Sequence, residues 1–411
     1  MEKVSTTFSA QLFLGAGEKE LFSSALIREK IAAAKDSLNL KKLMIWDTDP
    51  GKLTEEILLF CRDNSIETYL WHPVLADMNH IEVTPETMAD IPFIKGLDNL
   101  SGMWDKIGSG EENFLFVDPE YEYFHERNFH NYVTAIRDFS FDGVFLDRIR
   151  YSSPANGFES LFSTYLTSWL VQCEKEKRNP HDEKRRLESF YADMKGWDDK
   201  KLENYGSFEE ILAPFSDFLQ YKKERISRKV ALYEKDARDK GKAFALDLLA
   251  TSLSFFTGQD YGDLSTRCDW IKDMAYCYAM GPAALPLEIL SLAKGFLKLA
   301  PLVSERAFLK FFERHSALVL PESLKQIEEE GVDPENAFRE LNEALRQTEG
   351  RVPVYSGLEM VNTPYFSTKI SEPMLNGYAD ALQGKCGGVV ASWNILHIPD
   401  GHFRILGSRF L

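Results

Sequence analysis

Short apolar runs recur along this chain, separated by stretches long enough for a helix, and several end at an acidic or aromatic residue. In order they cover residues 8–14 (FSAQLFL), 42–46 (KLMIW), 66–71, 113–117, 141–147, 242–249, 269–276, 352–358 and 388–393. Runs of this length bounded by turn signals read as buried strands. Between the first two, Leu21, Phe22, Ala25, Leu26, Ile27, Ile31 and Ala34 follow the helical period. Strands alternating with helices build a parallel sheet. The run at 113–117 follows a long aperiodic stretch, 74–112; if it is a piece of that loop, eight of the nine candidate strands remain, the number that closes a barrel. The expected fold is α/β, a (β/α)8 barrel over residues 1–411 as one domain. Two connections, 152–241 and 283–350, are expected to be helical insertions, the second broken at Pro301, Pro321 and Pro334. An open doubly wound sheet is the alternative, but its usual nucleotide fingerprint is missing.

Local signals refine this frame. Asp49 followed by Pro50 reads as the start of a helix over 52–63, and Asp118 followed by Pro119 as the start of one over 120–139. An amphipathic helix is expected over 158–178.

Composition narrows the function. The net charge of −16 argues against non-specific nucleic-acid binding, which needs a basic surface, and favours a neutral or cationic ligand. No run of about 20 apolar residues exists, so no membrane span is expected. The five cysteines are scattered without a Cys-x-x-Cys pair, and the N-terminus has no leader-like pattern. Both point to the cytoplasm, a secreted original with its leader removed being the other case. The eight histidines form no His-x-His or His-x-x-x-His pair, so no metal is expected, and no cofactor.

In a barrel of this kind every strand's C-terminal end points at one mouth, where the chemistry sits. Those ends carry Asp47, His72, Asp147, Asp247, Tyr276, Tyr278, Glu359, Trp393 and Asn394. Glycoside hydrolysis needs two carboxyl groups across a sugar, and aromatic faces suit the sugar's C–H surface. Asp147 and Glu359 are the expected catalytic pair. Asp47, His72, Arg150, Asp247, Tyr276, Tyr278, Trp393 and Asn394 are the expected substrate-binding residues. The bland roles stand beside these: Asp147 in an ion pair with Arg148 or Arg150, Glu359 as a solvated loop residue, Asp247 pointing outward, Tyr276 and Trp393 as core.

The segment Asp142-Gly-Val-Phe-Leu-Asp147-Arg-Ile-Arg150-Tyr151 resembles one found in uncharacterised TIM-barrel proteins classed as glycoside-hydrolase-like. Asp269-Trp-Ile-Lys-Asp-Met274-Ala-Tyr276 and Gly388-Val-Val-Ala-Ser-Trp393-Asn394 resemble two later segments of that family, in the same order, with Asp273 where the family has proline. The resemblance implies a (β/α)8 fold and a carbohydrate ligand, with Asp147, Arg150, Tyr276 and Trp393 at the site. A glutamate after the seventh strand, as Glu359 is, also resembles the nucleophile of the large retaining-glycosidase clan. The function expected is hydrolysis of a glycan or glycoside. The alternative is a non-catalytic carbohydrate-binding barrel.

Overall fold

A closed barrel of eight parallel strands carries the chain, in the order β1 to β8 with β1 returning to β8. The computed structural model describes residues 6–78, 116–316, 318–363 and 368–411. The strands are β1 (Thr7–Leu14), β2 (Lys42–Asp47), β3 (Glu67–Pro73), β4 (Gly143–Asp147), β5 (Ala243–Leu249), β6 (Trp270–Met274), β7 (Val354–Glu359) and β8 (Gly388–Ser392). They coincide with eight of the nine apolar runs. The ninth, at 113–117, is described only at Phe116 and Val117, where the Val117 N–H donates to the Leu75 carbonyl at 2.8 Å. That piece docks on the connection after β3.

The period of two divides each strand between two cores. Ala10, Leu12, Leu43, Ile45, Val144, Leu146, Leu246 and Leu248 face the surrounding helices. Phe13, Met44, Trp46, Tyr69, Trp71, Phe145, Trp270 and Tyr355 fill the barrel interior. Trp270 is stacked between Phe145 (5.3 Å) and Tyr355 (5.0 Å). Burying a ring of this size contributes about 2–3 kcal/mol gross, so the interior is a packed core and not a pore. Gly143 opens β4 because nothing larger fits: a Cβ there would lie 2.4 Å from the Tyr69 ring.

The two insertions are helical. Between β4 and β5 the longest helices are Pro180–Met194 and Ser216–Asp239, and between β6 and β7 they are Leu285–Leu299, Glu305–Ser316, Leu324–Glu330 and Glu335–Gln347. Each of the three prolines stands just ahead of a new helix, where a missing N–H costs nothing. The insertions share a core, with Phe158 edge-on to Phe296 at 5.3 Å and Phe208 to Phe311 at 4.9 Å.

Three local expectations are corrected. The stretch 158–178 is not one helix but a 3-10 turn (Phe158–Phe162), a π turn (Tyr165–Trp169) and a short α-helix (Leu170–Lys175). Thr164, at φ 68°, lies outside helical space and separates the first two. Helix Lys52–Asp63 has the expected bounds, but Gly51 and not Asp49 stands at its N-cap, because Asp49 is drawn away: its N–H donates to Asp47 Oδ1 at 2.9 Å and its carbonyl accepts from Lys19 at 2.7 Å. Asp118 accepts from the Glu120 N–H at 2.9 Å and closes a turn, so the helix it announces starts later, at Glu122.

Candidate functional site

Register brings two carboxyl groups together. β4 and β5 pair from Gly143 with Ala243 to Leu146 with Leu246, so the next step along both strands sets Asp147 beside Asp247. Both follow by two residues a side chain that lines the interior, Phe145 and Ala245, and so point inward. β6 continues the row, because Lys272 is in register with Asp247.

The two aspartates sit in different surroundings. Asp147 Oδ2 accepts from the Trp71 indole N–H at 2.9 Å, and Oδ1 from the Arg148 backbone N–H at 2.5 Å. Asp247 Oδ2 accepts from Lys272 Nζ at 2.8 Å and, at 3.4 Å, from Gln11 across the barrel. Lys272 also donates to Gln11 Oε1 at 2.9 Å. The other oxygen, Asp247 Oδ1, is sealed from solvent without a hydrogen-bond partner. Burial pushes the Asp247 carboxyl up to about 7; Lys272 pulls it down and the charge of Asp147 pushes it up again. Burial alone would depress the Lys272 ammonium, but Asp247 beside it outweighs this and its pKa is raised. Burial likewise lifts the Tyr276 hydroxyl to about 12, against the pull of Lys272, whose ammonium is 5.4 Å from the ring centre. A glycine on β7 makes room for this pair: a Cβ on Gly357 would lie 2.9 Å from Lys272 Cε and 3.0 Å from Tyr276 Cε1.

Two arginines follow Asp147. Arg148, at φ 54°, turns back over the Trp46 ring at 4.7 Å and pairs with Asp77 at 2.7 Å, while its Nε stands 3.9 Å from Asp147. Arg150 is 2% exposed and lies over the Phe116 ring at 4.5 Å. The aromatic wall continues through Trp46, edge-on to Phe13 at 4.7 Å and to Trp71 at 5.4 Å. Trp393, half-buried after a cis peptide bond from Ser392, packs against the same cluster.

Of the residues expected at the site, the structure therefore gathers Asp147, Asp247, Arg150, Tyr276 and Trp393. It gives the others different work. Glu359 accepts from the backbone N–H groups of Tyr278 (2.5 Å) and Ala279 (3.1 Å) and from the Tyr378 hydroxyl (2.5 Å), tying the β6 connection to helix Glu372–Leu382. Burial lifts its pKa to about 7 against the pull of these donors. Among the described residues no hydrogen bond joins it to Asp147 or Asp247. Tyr278 turns outward onto Tyr378, edge-on at 5.3 Å, rather than sharing the direction of Tyr276. Asp47 holds its own turn, accepting from Thr54 at 2.7 Å and pairing with Lys19 at 2.5 Å. Asn394 laces the end of β8 to β1 through the Phe13 carbonyl (3.1 Å) and N–H (3.4 Å). His72 falls on the outer parity of β3, between Tyr132 and Tyr233 at 5.5 and 5.6 Å, where burial lowers it to about 3.

Sequence reasoning missed Lys272, Gln11, Trp46 and Trp71. Period two puts Lys272 on the same face as Trp270, but no feature of the sequence marks that face as the inner one. Among the described residues no cluster of three His, Cys, Asp or Glu side chains is placed to hold a metal ion. No helix among them is long and apolar enough to cross a membrane, and all five cysteines are buried thiols outside any disulfide.

No protein-family model matches the sequence, and no curated protein matches it either. Solved structures do resemble the fold. The PgaB (BpsB) glycoside hydrolase domain from Bordetella bronchiseptica aligns at a TM-score of 0.50 and 13% identity, over 98% of this chain and 98% of that one. A class V chitinase from Pseudomonas fluorescens aligns at 0.46 and 9%, over 98% and 99%. The spore cortex-lytic enzyme SleL of Bacillus megaterium aligns at 0.43 and 9%, over 100% of this chain and 75% of that one. The first of these shares the barrel fold at nearly full length. The chain is thus a (β/α)8 barrel with an inward carboxyl pair at the C-terminal ends of its fourth and fifth strands.

Proposed function

We propose that this barrel hydrolyses a glycosidic bond at its C-terminal mouth, with Asp147 and Asp247 as the carboxyl pair. The observation that carries the reading is the contrast between the two acids. Both oxygens of Asp147 accept from N–H donors, Oδ2 from the Trp71 indole and Oδ1 from the Arg148 backbone. Asp247 is buried, raised to about 7, and has one oxygen without a partner. Two carboxyls with opposed environments divide the labour of acid and nucleophile.

Neighbouring strands lie about 4.8 Å apart, closer to the roughly 5–5.5 Å carboxyl separation of retaining enzymes than to the wider inverting gap. In the first step Asp147 attacks the anomeric carbon while the bond to the leaving oxygen breaks, and Asp247 gives that oxygen its proton. In the second, Asp247 takes a proton from water as the water oxygen displaces Asp147. The sum is hydrolysis with retention. Trp393, half-buried at the rim, offers a ring face to the sugar. Support also comes from the barrel likeness to a glycoside hydrolase domain, which bears on the fold.

The non-catalytic reading draws on one fact: the mouth acids are already engaged, by Trp71, Lys272 and Gln11. A panel of chromogenic glycosides and oligosaccharides, run on the wild type and on Asp147→Asn and Asp247→Asn, separates the two. Turnover lost in both variants supports the hydrolase. Binding without turnover in the wild type leaves the lectin-like barrel.

A further inference from the structure

We infer that Arg150 forms an anion-recognising subsite in the mouth, and that the sugar bound against Asp147 and Asp247 carries a carboxylate, as a uronic acid does. The inference rests on the proposed reading for the sugar itself; the charge comes from the geometry of one guanidinium.

Arg150 is buried, yet its five N–H donors are nearly idle. Nε is sealed from solvent without a partner, and Nη1 reaches only the Tyr151 carbonyl at 3.4 Å. Among the described residues no carboxylate oxygen lies at ion-pair distance from it. The carboxylates around it are committed elsewhere. Asp147 accepts from Trp71 and the Arg148 backbone, Asp247 from Lys272 and Gln11, and Asp77 pairs with Arg148. Glu288, at the head of helix Leu285–Leu299, accepts from Ser153 (2.8 Å), Ala155 (2.5 Å) and Ala283 (2.9 Å). The Phe116 ring on which Arg150 lies precedes Val117, which docks on Leu75 just after β3, at the barrel end that carries Asp147 and Asp247.

A buried donor left unmade costs about 1–3 kcal/mol, more when charged. A ligand carboxylate reaching the guanidinium from the mouth would recover that cost. The guanidinium carbon rests 4.5 Å from the Phe116 ring centre, a cation–π seat. A fixed fork matches the two oxygens of a carboxylate, two parallel charge-assisted bonds that no sugar hydroxyl reproduces. A dianionic phosphate would call for further cations, and residues 360–371 and 393–399, after β7 and β8, supply only Lys369, which donates to the Thr363 carbonyl. The net charge of −16 pointed toward a neutral or cationic ligand. It is spread over the whole surface and screened beyond about 8–10 Å, whereas Arg150 acts at contact.

The test is calorimetric titration of the wild-type protein with glucuronate and galacturonate, against glucose, galactose and glucose 6-phosphate. The uronates are expected to bind about tenfold or more tightly than their neutral parents, an advantage that shrinks as salt is added. Arg150→Gln should erase the difference, and Arg150→Lys, which keeps the charge but not the fork, should keep part of it. Neutral sugars binding as tightly as uronates, no uronate binding, or preference for the sugar phosphate would each overturn the subsite. If Arg150→Gln does not fold, the wild-type comparison decides alone. Binding needs no bond cleavage, so the two readings fail separately. An inactive protein that prefers uronates sinks only the hydrolase. An enzyme that cleaves neutral glycosides and ignores uronates sinks only the subsite.

Discussion

Asp147 and Asp247 stand side by side because β4 and β5 pair in a register that sets residue 143 against residue 243 and keeps step from there. A slip of one residue would turn one of the two into the helix layer. The pair is therefore a product of strand pairing as much as of residue choice, and its chemistry can be tested apart from the fold.

Asp247 is expected to act in its protonated form. With its pKa lifted to about 7 by burial, kcat/KM on a cleavable glycoside should fall as pH rises through that value. Asp247→Asn should remove this alkaline limb together with most of the activity. A rate that stays flat from pH 6 to pH 8 would take Asp247 out of the acid role.

Lys272→Met should move that limb rather than abolish it. The variant keeps an unbranched side chain but removes the ammonium that stands 2.8 Å from Asp247 Oδ2. Without its ammonium partner the carboxyl rises further, so the limb should shift to higher pH by about one unit, equivalent to roughly 1.4 kcal/mol of lost ion pairing. Circular dichroism should show the fold intact.

Glu359→Gln is expected to cost stability and spare catalysis. An amide cannot accept from both the backbone N–H groups and Tyr378 as the carboxylate does. Loss of about 1–3 kcal/mol should appear in urea unfolding, with kcat within a factor of a few of the wild type. Loss of turnover at unchanged stability would return Glu359 to the catalytic pair.

Trp71→Phe removes the N–H that points at Asp147 Oδ2 and keeps a ring in its place. A hydrogen bond to a charged group contributes about 1.5–3 kcal/mol, so kcat should drop by roughly ten- to a hundredfold. An unchanged kcat would show that this indole only fills space.

His72 should leave its mark on acid stability. Its folded pKa, lowered to about 3, lies below the unfolded value of 6.5, so the unfolded chain binds the proton first as pH falls. The contribution is full above 6.5 and is lost at up to about 1.4 kcal/mol per pH unit between 6.5 and 3. His72→Phe should flatten the unfolding midpoint across that window. An equally steep fall in the variant would place the acid sensitivity elsewhere.

The sequence alone placed all eight strands along the chain, among nine candidate runs, and put Asp147 at the C-terminal end of one of them. Apolar runs spaced by helical periodicity admit few other folds, and the residues that end them are read directly. Direction at the strand ends was decided by the tertiary structure. Period two separates the faces of a strand but does not say which one faces in, so His72 and Trp71 exchange roles once β3 is seated. Glu359 ends its strand and follows the nearest donors, which belong to an element many residues away. Lys272 meets Asp247 through the register of β6 on β5, and Gln11 reaches both only because the cylinder closes. Strand identity is a local property of the chain; register and closure are set by all eight strands packing at once.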